Sequence, residues 1–314
     1  VVERVSVEQA LAAYAVYGDP ATVAFHTQQE HRPHYGGAGV WNAMVTTTLH
    51  PGDPRARDDK ALAAIAEELK ALREERTWDE ANPMEAAAGA QLHSDAHFAT
   101  LHSIVGIKSA ESTDPKDHKY KGRVVLGGHN IRDTQGEYAI FGDITNTPSS
   151  MAACRVTIAC AAVDSTLELL QSDCIRAYPQ APMTGSPTFI SLPKRWWPAH
   201  WQRFKDPVCR LVKALYGHPK AGDMWGDELS KHVLDLDYKK AEGWPSVFCK
   251  TLDNDGISIV IAYVDDLLFL GTKGPKGHSQ EIAKLRAKVK MDDPASLSKY
   301  LGCHHSFNTE TVDG

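Results

Sequence analysis

Three aspartates carry the most pointed chemistry in this sequence. Asp265 and Asp266 stand side by side between two apolar runs, Ile257 to Tyr263 and Leu267 to Leu270, and Asp173 closes the run Leu167-Glu-Leu-Leu-Gln-Ser-Asp173. Adjacent aspartates in a turn have an ordinary explanation, because Asp forms turns well and stays hydrated there. Here the flanking runs read as the two strands of a β-hairpin with both carboxylates at its tip. A second strand ending in Asp173 would bring three carboxylates together. Like charges about 4 Å apart repel by about 4 kcal/mol at an effective dielectric near 20, so such a cluster is best tolerated around divalent cations. Mg²⁺ suits it, since it accepts one or two carboxylates and completes its octahedron with water and substrate phosphates.

Those strands need a scaffold, and the pattern of apolar residues supplies one. From Asp58 to Arg76, Leu62, Ile65, Leu69 and Leu72 recur at three- and four-residue intervals, which predicts an amphipathic helix ending before Trp78. Met151 to Leu170, rich in Ala, reads as a buried helix leading into the run that ends at Asp173. Trp225, Leu229, His232 and Val233 predict another helix over Ala221 to Leu236. Arg123-Val-Val-Leu reads as a strand after a loop from Ser109 to Lys121. Prolines at 179, 182, 187, 193 and 198 exclude a long helix there and favour loops and short edge strands. A short helix is expected over Val7 to Tyr17 within an otherwise linker-like start. Strands and helices do not alternate regularly, which favours α+β over a doubly wound parallel sheet.

Composition narrows the function classes. The 314 residues are 42% hydrophobic and 24% charged, as in soluble globular proteins. The longest apolar stretch, Ile257 to Gly271, is interrupted by Asp265 and Asp266, so no bilayer span is expected. Six cysteines without a C-x-x-C pair suit reduced thiols in an intracellular compartment. A start at Val-Val-Glu without a leader suggests a piece of a longer polyprotein. The first 100 residues hold 8 Lys/Arg against 15 Asp/Glu, whereas Lys194 to Lys220 holds seven basic residues against Asp206 alone. Such local basic stretches are compatible with a phosphate backbone or with plain solvated surface.

Other constellations carry less. Cys303, His304 and His305 lack the spaced second pair of a metal site. Gly127-Gly128 fits no phosphate-loop pattern, and no nucleophile elbow is present. Trp196, Trp197 and Trp201 among Lys194, Arg195 and Arg203 read first as an aromatic cluster under a loop and second as a stacking platform for single-stranded bases.

Tyr263-Val-Asp-Asp266 between apolar strands resembles the catalytic hairpin of reverse transcriptases, and the order of motifs is similar to that of copia-type retrotransposons. Asp173-Cys-Ile-Arg-Ala177-Tyr178 resembles that family's Asp-x-x-x-Ala-Phe element. The segment from Val208 to Trp225, with Leu215-Tyr216-Gly217 at its centre, is similar to its "VCKLKKSLYGLKQAPRAW". Lys119-Tyr-Lys121-Gly-Arg123-Val-Val resembles "KYKARLV", Glu74 to Trp78 resembles "NGTW", and Tyr300-Leu301-Gly302 resembles "YFLGIEI". The resemblance covers about residues 58–307. The sequence departs at Lys220, where the family has Gln, at Gly222, where it has Pro, and at Tyr178-Pro-Gln-Ala, where it has Phe-Leu-Asn-Gly.

The resemblance implies a right-hand polymerase fold of class α+β, with an antiparallel palm sheet and an incomplete thumb. It divides the chain into a linker or extension over 1–57, a fingers-like segment over 58–145, a palm over 146–272 from which 179–205 returns to the fingers, and a primer-grip-like end over 273–314. It implies template-directed DNA synthesis with two Mg²⁺ ions, Mn²⁺ being an alternative, Asp173 and Asp265 as ligands and Asp266 in support. Lys121 and Arg123 would hold the triphosphate, Tyr178 would lie against the incoming sugar, and Lys220 would face substrate. The implied partners are an RNA or DNA template with primer, deoxynucleoside triphosphates and the rest of a retroelement polyprotein, in cytoplasmic particles or the nucleus. The rival expectation is a catalytically inactive, nucleic-acid-binding remnant of a retroelement.

Overall fold

The computed structural model describes residues 46–110, 114, 116–142, 145–253, 255–274, 277–301 and 303–305, and the helix expected over Val7 to Tyr17 lies outside them. The architecture is mixed α/β with two six-stranded sheets, each in its own compact unit.

One unit comprises residues 42–145 and 176–228. Its sheet contains β1 (Thr47–Thr48), β2 (Met84–Glu85), β3 (His97–Lys108), β4 (Lys119–Leu126), β6 (Thr188–Ser191) and β7 (Pro207–Arg210), in the order β1-β3-β6-β7-β2 with β4 on β3. Only the β3–β6 pair is parallel. Helix α1 (Asp59–Glu74) forms where the periodicity places it, capped by Asp58, whose carboxylate accepts from the Ala61 amide at 2.7 Å. It buries Ala61, Ile65, Leu69 and Leu72 and lies very close to β4. A Cβ on Gly122 would come within 2.5 Å of the Ala64 carbonyl oxygen, so only glycine permits this approach. A glycine pair sets the crossing that follows β4. Gly217 adopts φ +89° and a Cβ there would lie 2.0 Å from the Leu126 carbonyl oxygen, while a Cβ on Gly128 would lie 2.0 Å from that of Gly217.

Helix α2 (Ala86–Leu92) is a short addition, and β6 corrects the expectation of an edge strand. It runs between β3 and β7, with Phe189 and Ile190 buried, because its flanking prolines lie outside the four paired residues. The tryptophans settle as a packed cluster. Trp196 and Trp201 are buried, Trp201 Nε1 donates to the Glu80 carbonyl at 3.0 Å, and Trp197 Nε1 donates to that of Leu192 at 2.7 Å.

The other unit comprises the described residues within 146–175 and 229–305. Helix α3 (Met151–Val163) stops well before the expected Leu170. Its continuation is diverted because the Asp164 carboxylate accepts from the Thr166 amide at 2.9 Å and from its hydroxyl at 2.6 Å, closing a local turn in place of the next helical one. The chain then enters β5 (Leu167–Asp173). The sheet is antiparallel in every pair, in the order β12-β5-β11-β10-β9-β8, where β8 is Lys239–Lys240, β9 Val247–Thr251, β10 Ile257–Tyr263, β11 Asp266–Thr272 and β12 Ala295–Ser296.

Alternation splits this sheet into two faces. Leu167, Leu169, Ile259, Ile261, Leu268 and Leu270 pack with Ala153 and Cys154 of α3 and with Leu297 and Tyr300. The opposite face is covered by α6 (His278–Arg286), which buries Ile282 and Leu285. Short helix α4 (Ala177–Gln180) follows the strand end, and α5 (Ala221–Leu234) matches the expected second amphipathic helix. Cys154, Cys160, Cys174, Cys209 and Cys249 are free thiols. Among the described residues, no helix is long and apolar enough to cross a membrane.

Candidate active site

β5 ends at Asp173 and β11 begins at Asp266, and the antiparallel register sets these two residues directly opposite each other. Asp266 also pairs with Tyr263 across the hairpin, so the turn consists of only Val264 and Asp265. Two-residue hairpin turns need a positive φ, and glycine normally supplies it. Here Val264 adopts φ +60°. A β-branched residue in that region costs about 1–3 kcal/mol, a strain imposed by the tight turn that presents Asp265 to solvent.

Backbone hydrogen bonds fix the end of β5 from two sides. The Cys174 amide donates to the Asp265 carbonyl at 2.7 Å, which locks the strand end to the turn. From the other side the Asp292 amide donates to the Asp173 carbonyl at 3.0 Å, and the Ile175 amide donates to that of Lys290 at 3.0 Å. The Ser172 hydroxyl adds a bond to the Asp292 carbonyl at 2.8 Å. Asp173 is thereby held in position through its own main chain.

The electrostatics follow from that crowding. Asp173 and Asp265 are exposed and Asp266 is half-buried. Burial, a hydrogen bond with Asp173, and the charges of Asp173 and Asp265 push the Asp266 carboxyl up to about 7. A carboxylate pair in hydrogen-bonding contact must share a proton or a cation. The buried Cys174 thiol is pushed far up, first by desolvation and then by the charges of Asp265, Asp173, Asp266 and Asp292. Asp292 is a fourth carboxylate that the sequence pattern does not single out, since it sits in Met291-Asp-Asp-Pro294, outside any apolar run.

Among the described residues, no group of three or more His, Cys, Asp or Glu side chains forms a ready metal cage. The Asp173–Asp266 pair nevertheless fits a hard dication, because oxygen donors in contact and a proton held near neutral pH are what such an ion replaces. Mg²⁺ uses one or two carboxylates and takes its remaining ligands from water and phosphate.

The other sequence-derived site residues lie in the unit of residues 42–145 and 176–228. Lys121 and Arg123 are both exposed on one face of β4, with Lys119 two residues earlier and Lys108 opposite Lys119 on β3. Tyr178, in α4, is half-buried with its ring centroid 4.8 Å from that of Tyr216. Lys220 forms an ion pair with Asp223 at 2.8 Å, and Asp223 also accepts from the Thr145 amide at 3.0 Å. The three aspartates therefore come together in one unit, while in the other Lys121 and Arg123 share a strand face, Tyr178 packs on Tyr216 and Lys220 is committed to Asp223.

Over residues 104–313 the sequence matches the family described as Reverse transcriptase (RNA-dependent DNA polymerase). It is similar to the Retrovirus-related Pol polyprotein from transposon RE1 of Arabidopsis thaliana, 25% identical over 249 residues that cover 78% of this chain and 15% of the polyprotein. The corresponding polyprotein from transposon RE2 of the same plant is 26% identical over 239 residues, covering 73% and 15%. That from transposon TNT 1-94 of Nicotiana tabacum is 27% identical over 164 residues, covering 52% and 12%. The chain thus spans about 15% of the length of the first two curated relatives. Among solved structures, the foamy viral protease-reverse transcriptase dRH in complex with ds DNA is similar at 11% identity and a TM-score of 0.38, over 83% of this chain and 39% of that one, a likeness too slight to bear on the fold.

Proposed function

The chain belongs to the reverse transcriptase (RNA-dependent DNA polymerase) family, and from that premise we propose that it is the polymerase core of a copia-type retrotransposon polyprotein. It extends a primer on an RNA or DNA template with deoxynucleoside triphosphates. The observation that carries this reading is the register that sets Asp173 against Asp266 beside Asp265 at the mouth of a strained hairpin. In this reading the unit containing the carboxylates is the palm and the unit containing β3 and β4 is the fingers. The setting is intracellular, in cytoplasmic particles or the nucleus, together with the remainder of the polyprotein.

Asp173, Asp265 and Asp266 would hold two divalent ions, Mg²⁺ or Mn²⁺. Ions held there would lower the pKa of the primer 3′-hydroxyl and would supply charge stabilisation to the attacking and leaving oxygens of in-line displacement at the α-phosphate. The chain's own part is positional. The main-chain bonds to Asp292 and Lys290 hold Asp173 still, and the turn fixes Asp265. Lys121 and Arg123 offset charge on the departing pyrophosphate, and Tyr178 lies against the sugar, with Tyr216 setting its ring plane.

One observation favours a second reading, a catalytically inactive remnant that still binds nucleic acid: Lys220, expected to face substrate, is occupied by Asp223. Primer extension with Mg²⁺ separates the two. Template-dependent synthesis by the wild-type chain, lost in Asp173→Asn with a melting temperature no lower than that of wild type, supports the polymerase. Binding of primer–template without synthesis in wild type supports the remnant.

A further inference from the structure

On the sheet face covered by α6, three polar side chains are buried in a line. Tyr238 Oη lies 2.5 Å from Ser258 Oγ, and Ser258 Oγ lies 2.7 Å from His278 Nδ1. Ser258 and His278 are fully buried and Tyr238 nearly so. The line joins three elements: the segment after α5, strand β10 at the base of the hairpin, and the first residue of α6. Ser258 pairs with Gly271 across the hairpin, and that glycine makes the room. A Cβ on Gly271 would lie 2.3 Å from the His278 ring, so the imidazole occupies the space of the missing side chain.

We infer that the Tyr238–Ser258–His278 line is an acid-sensitive latch, which fastens the first turn of α6 to the base of the hairpin while His278 is neutral and releases it when His278 takes up a proton. The geometry gives the reason. A protonated imidazole carries two N–H donors, and His278 Nε2 is buried with no hydrogen-bond partner. A charged donor left unpaired in apolar surroundings is costly. The ring also sits at a helix N-terminus, where the helix dipole opposes positive charge.

The neighbouring charges do not rescue the cation. Glu281, one turn along α6, is the carboxylate nearest in effect, yet it is already held by Lys250 Nζ at 2.8 Å and Lys284 Nζ at 2.6 Å. Lys250, from β9, lies 5.7 Å over the Tyr238 ring, the Cys249 thiol lies near the same ring, and Glu168 of β5 is occupied by the Ser279 hydroxyl. Phe269 presents its ring at 6.2 Å. Desolvation therefore dominates, and it lowers His278 from 6.5 to about 4 against the opposing Phe269 carbonyl and Glu281.

The sign follows by linkage. An unfolded histidine takes up its proton near 6.5 and the folded one only near 4, so the latch contributes fully above pH 6.5 and its contribution is lost as pH falls. The folding equilibrium constant should drop by about 20-fold from pH 7 to pH 5, and by about 300-fold in all below pH 4.

Denaturant titration of the full chain at pH 7 and pH 5 tests this against His278→Gln, which stays uncharged throughout. Other titrating groups, Asp266 included, contribute to both proteins and cancel in the comparison. Wild type is expected to lose about 20-fold more than the variant over that interval, and parallel losses would overturn the latch. A second measurement does not depend on the variant folding: the NMR titration of the His278 ring in wild type. A midpoint near 4 supports the latch, and one near the ordinary 6.5 overturns it. Neither measurement reads DNA synthesis, so failure here leaves the polymerase reading standing.

Discussion

Asp266→Asn should abolish DNA synthesis and at the same time make the fold more stable above neutral pH. The Asp266 carboxyl is raised from 3.8 to about 7 by burial and by its contact with Asp173. A group whose folded value lies above its unfolded one adds stability at low pH, and that stability is lost as pH rises through the folded value, here about 7. Above it, the protein carries two contacting carboxylates at a cost of about 4 kcal/mol if the shift is taken whole. Because Asp266 is only half-buried, solvent screening reduces this to about 2 kcal/mol. An Asn amide keeps the volume and donates to Asp173 without the charge. In EDTA at pH 8 the variant should therefore melt about 4 °C above wild type, and at pH 5 the difference should shrink toward zero. Mg²⁺ should raise the wild-type melting temperature at pH 8 more than that of the variant, since it stabilises by binding the charged pair. A variant that melts below wild type at pH 8, or melting curves that shift in parallel with pH, would refute the reasoning that Asp173 and Asp266 are in repulsive contact.

Three further outcomes are expected. Gly217→Ala should destabilise by at least about 3 kcal/mol in urea titration, because φ +89° and a backbone oxygen 2.0 Å from the new Cβ leave no relaxed position; a loss under about 1 kcal/mol would mean the crossing adjusts freely. Val264→Gly should raise the urea midpoint by a gain of about 1 kcal/mol, the relieved φ strain exceeding glycine's entropy cost, and a lowered midpoint would show the turn to be unstrained. Tyr178→Ala should raise the ratio of ribonucleotide to deoxynucleotide incorporation if the ring faces the sugar, whereas an unchanged ratio with a large drop in melting temperature would make it a packing partner of Tyr216 only.

Much of the site was legible because apolar flanks announce strands. The runs on either side of Val264-Asp265-Asp266 contain enough β-branched and aromatic residues to specify a hairpin, and β10 and β11 fall within two residues of the expected limits. Register was the part that composition does not encode. Which aspartate faces Asp173 depends on where the turn closes, and the two-residue turn draws Asp266 into the strand and leaves Asp265 at the tip. The overlong helix expected to Leu170 has a similar cause, since Leu167 and Leu169 satisfy a helical or a strand pattern equally and the Asp164 side chain decides between them. Asp292 was invisible because it reaches the site through main-chain bonds to β5, which no side-chain pattern records. Trp201 is buried rather than offered to bases, for an indole surrounded by apolar neighbours and given a carbonyl partner gains more from the core than from solvent.

The bracket around Asp173 also sets a timetable. Ser172 meets Asp292 across a separation of 120 residues, and the β5–β11 ladder joins residues nearly as far apart. At a synthesis rate of 5–20 residues per second, about 6–24 s pass between the emergence of the first carboxylate and that of the segment that holds its main chain. Until residues 266–272 emerge, β5 lacks β11 as its partner strand, and contacts of such long sequence separation form slowly even in a complete chain. A nascent chain that halts between residues 266 and 292 therefore carries all three aspartates without the main-chain grip on Asp173.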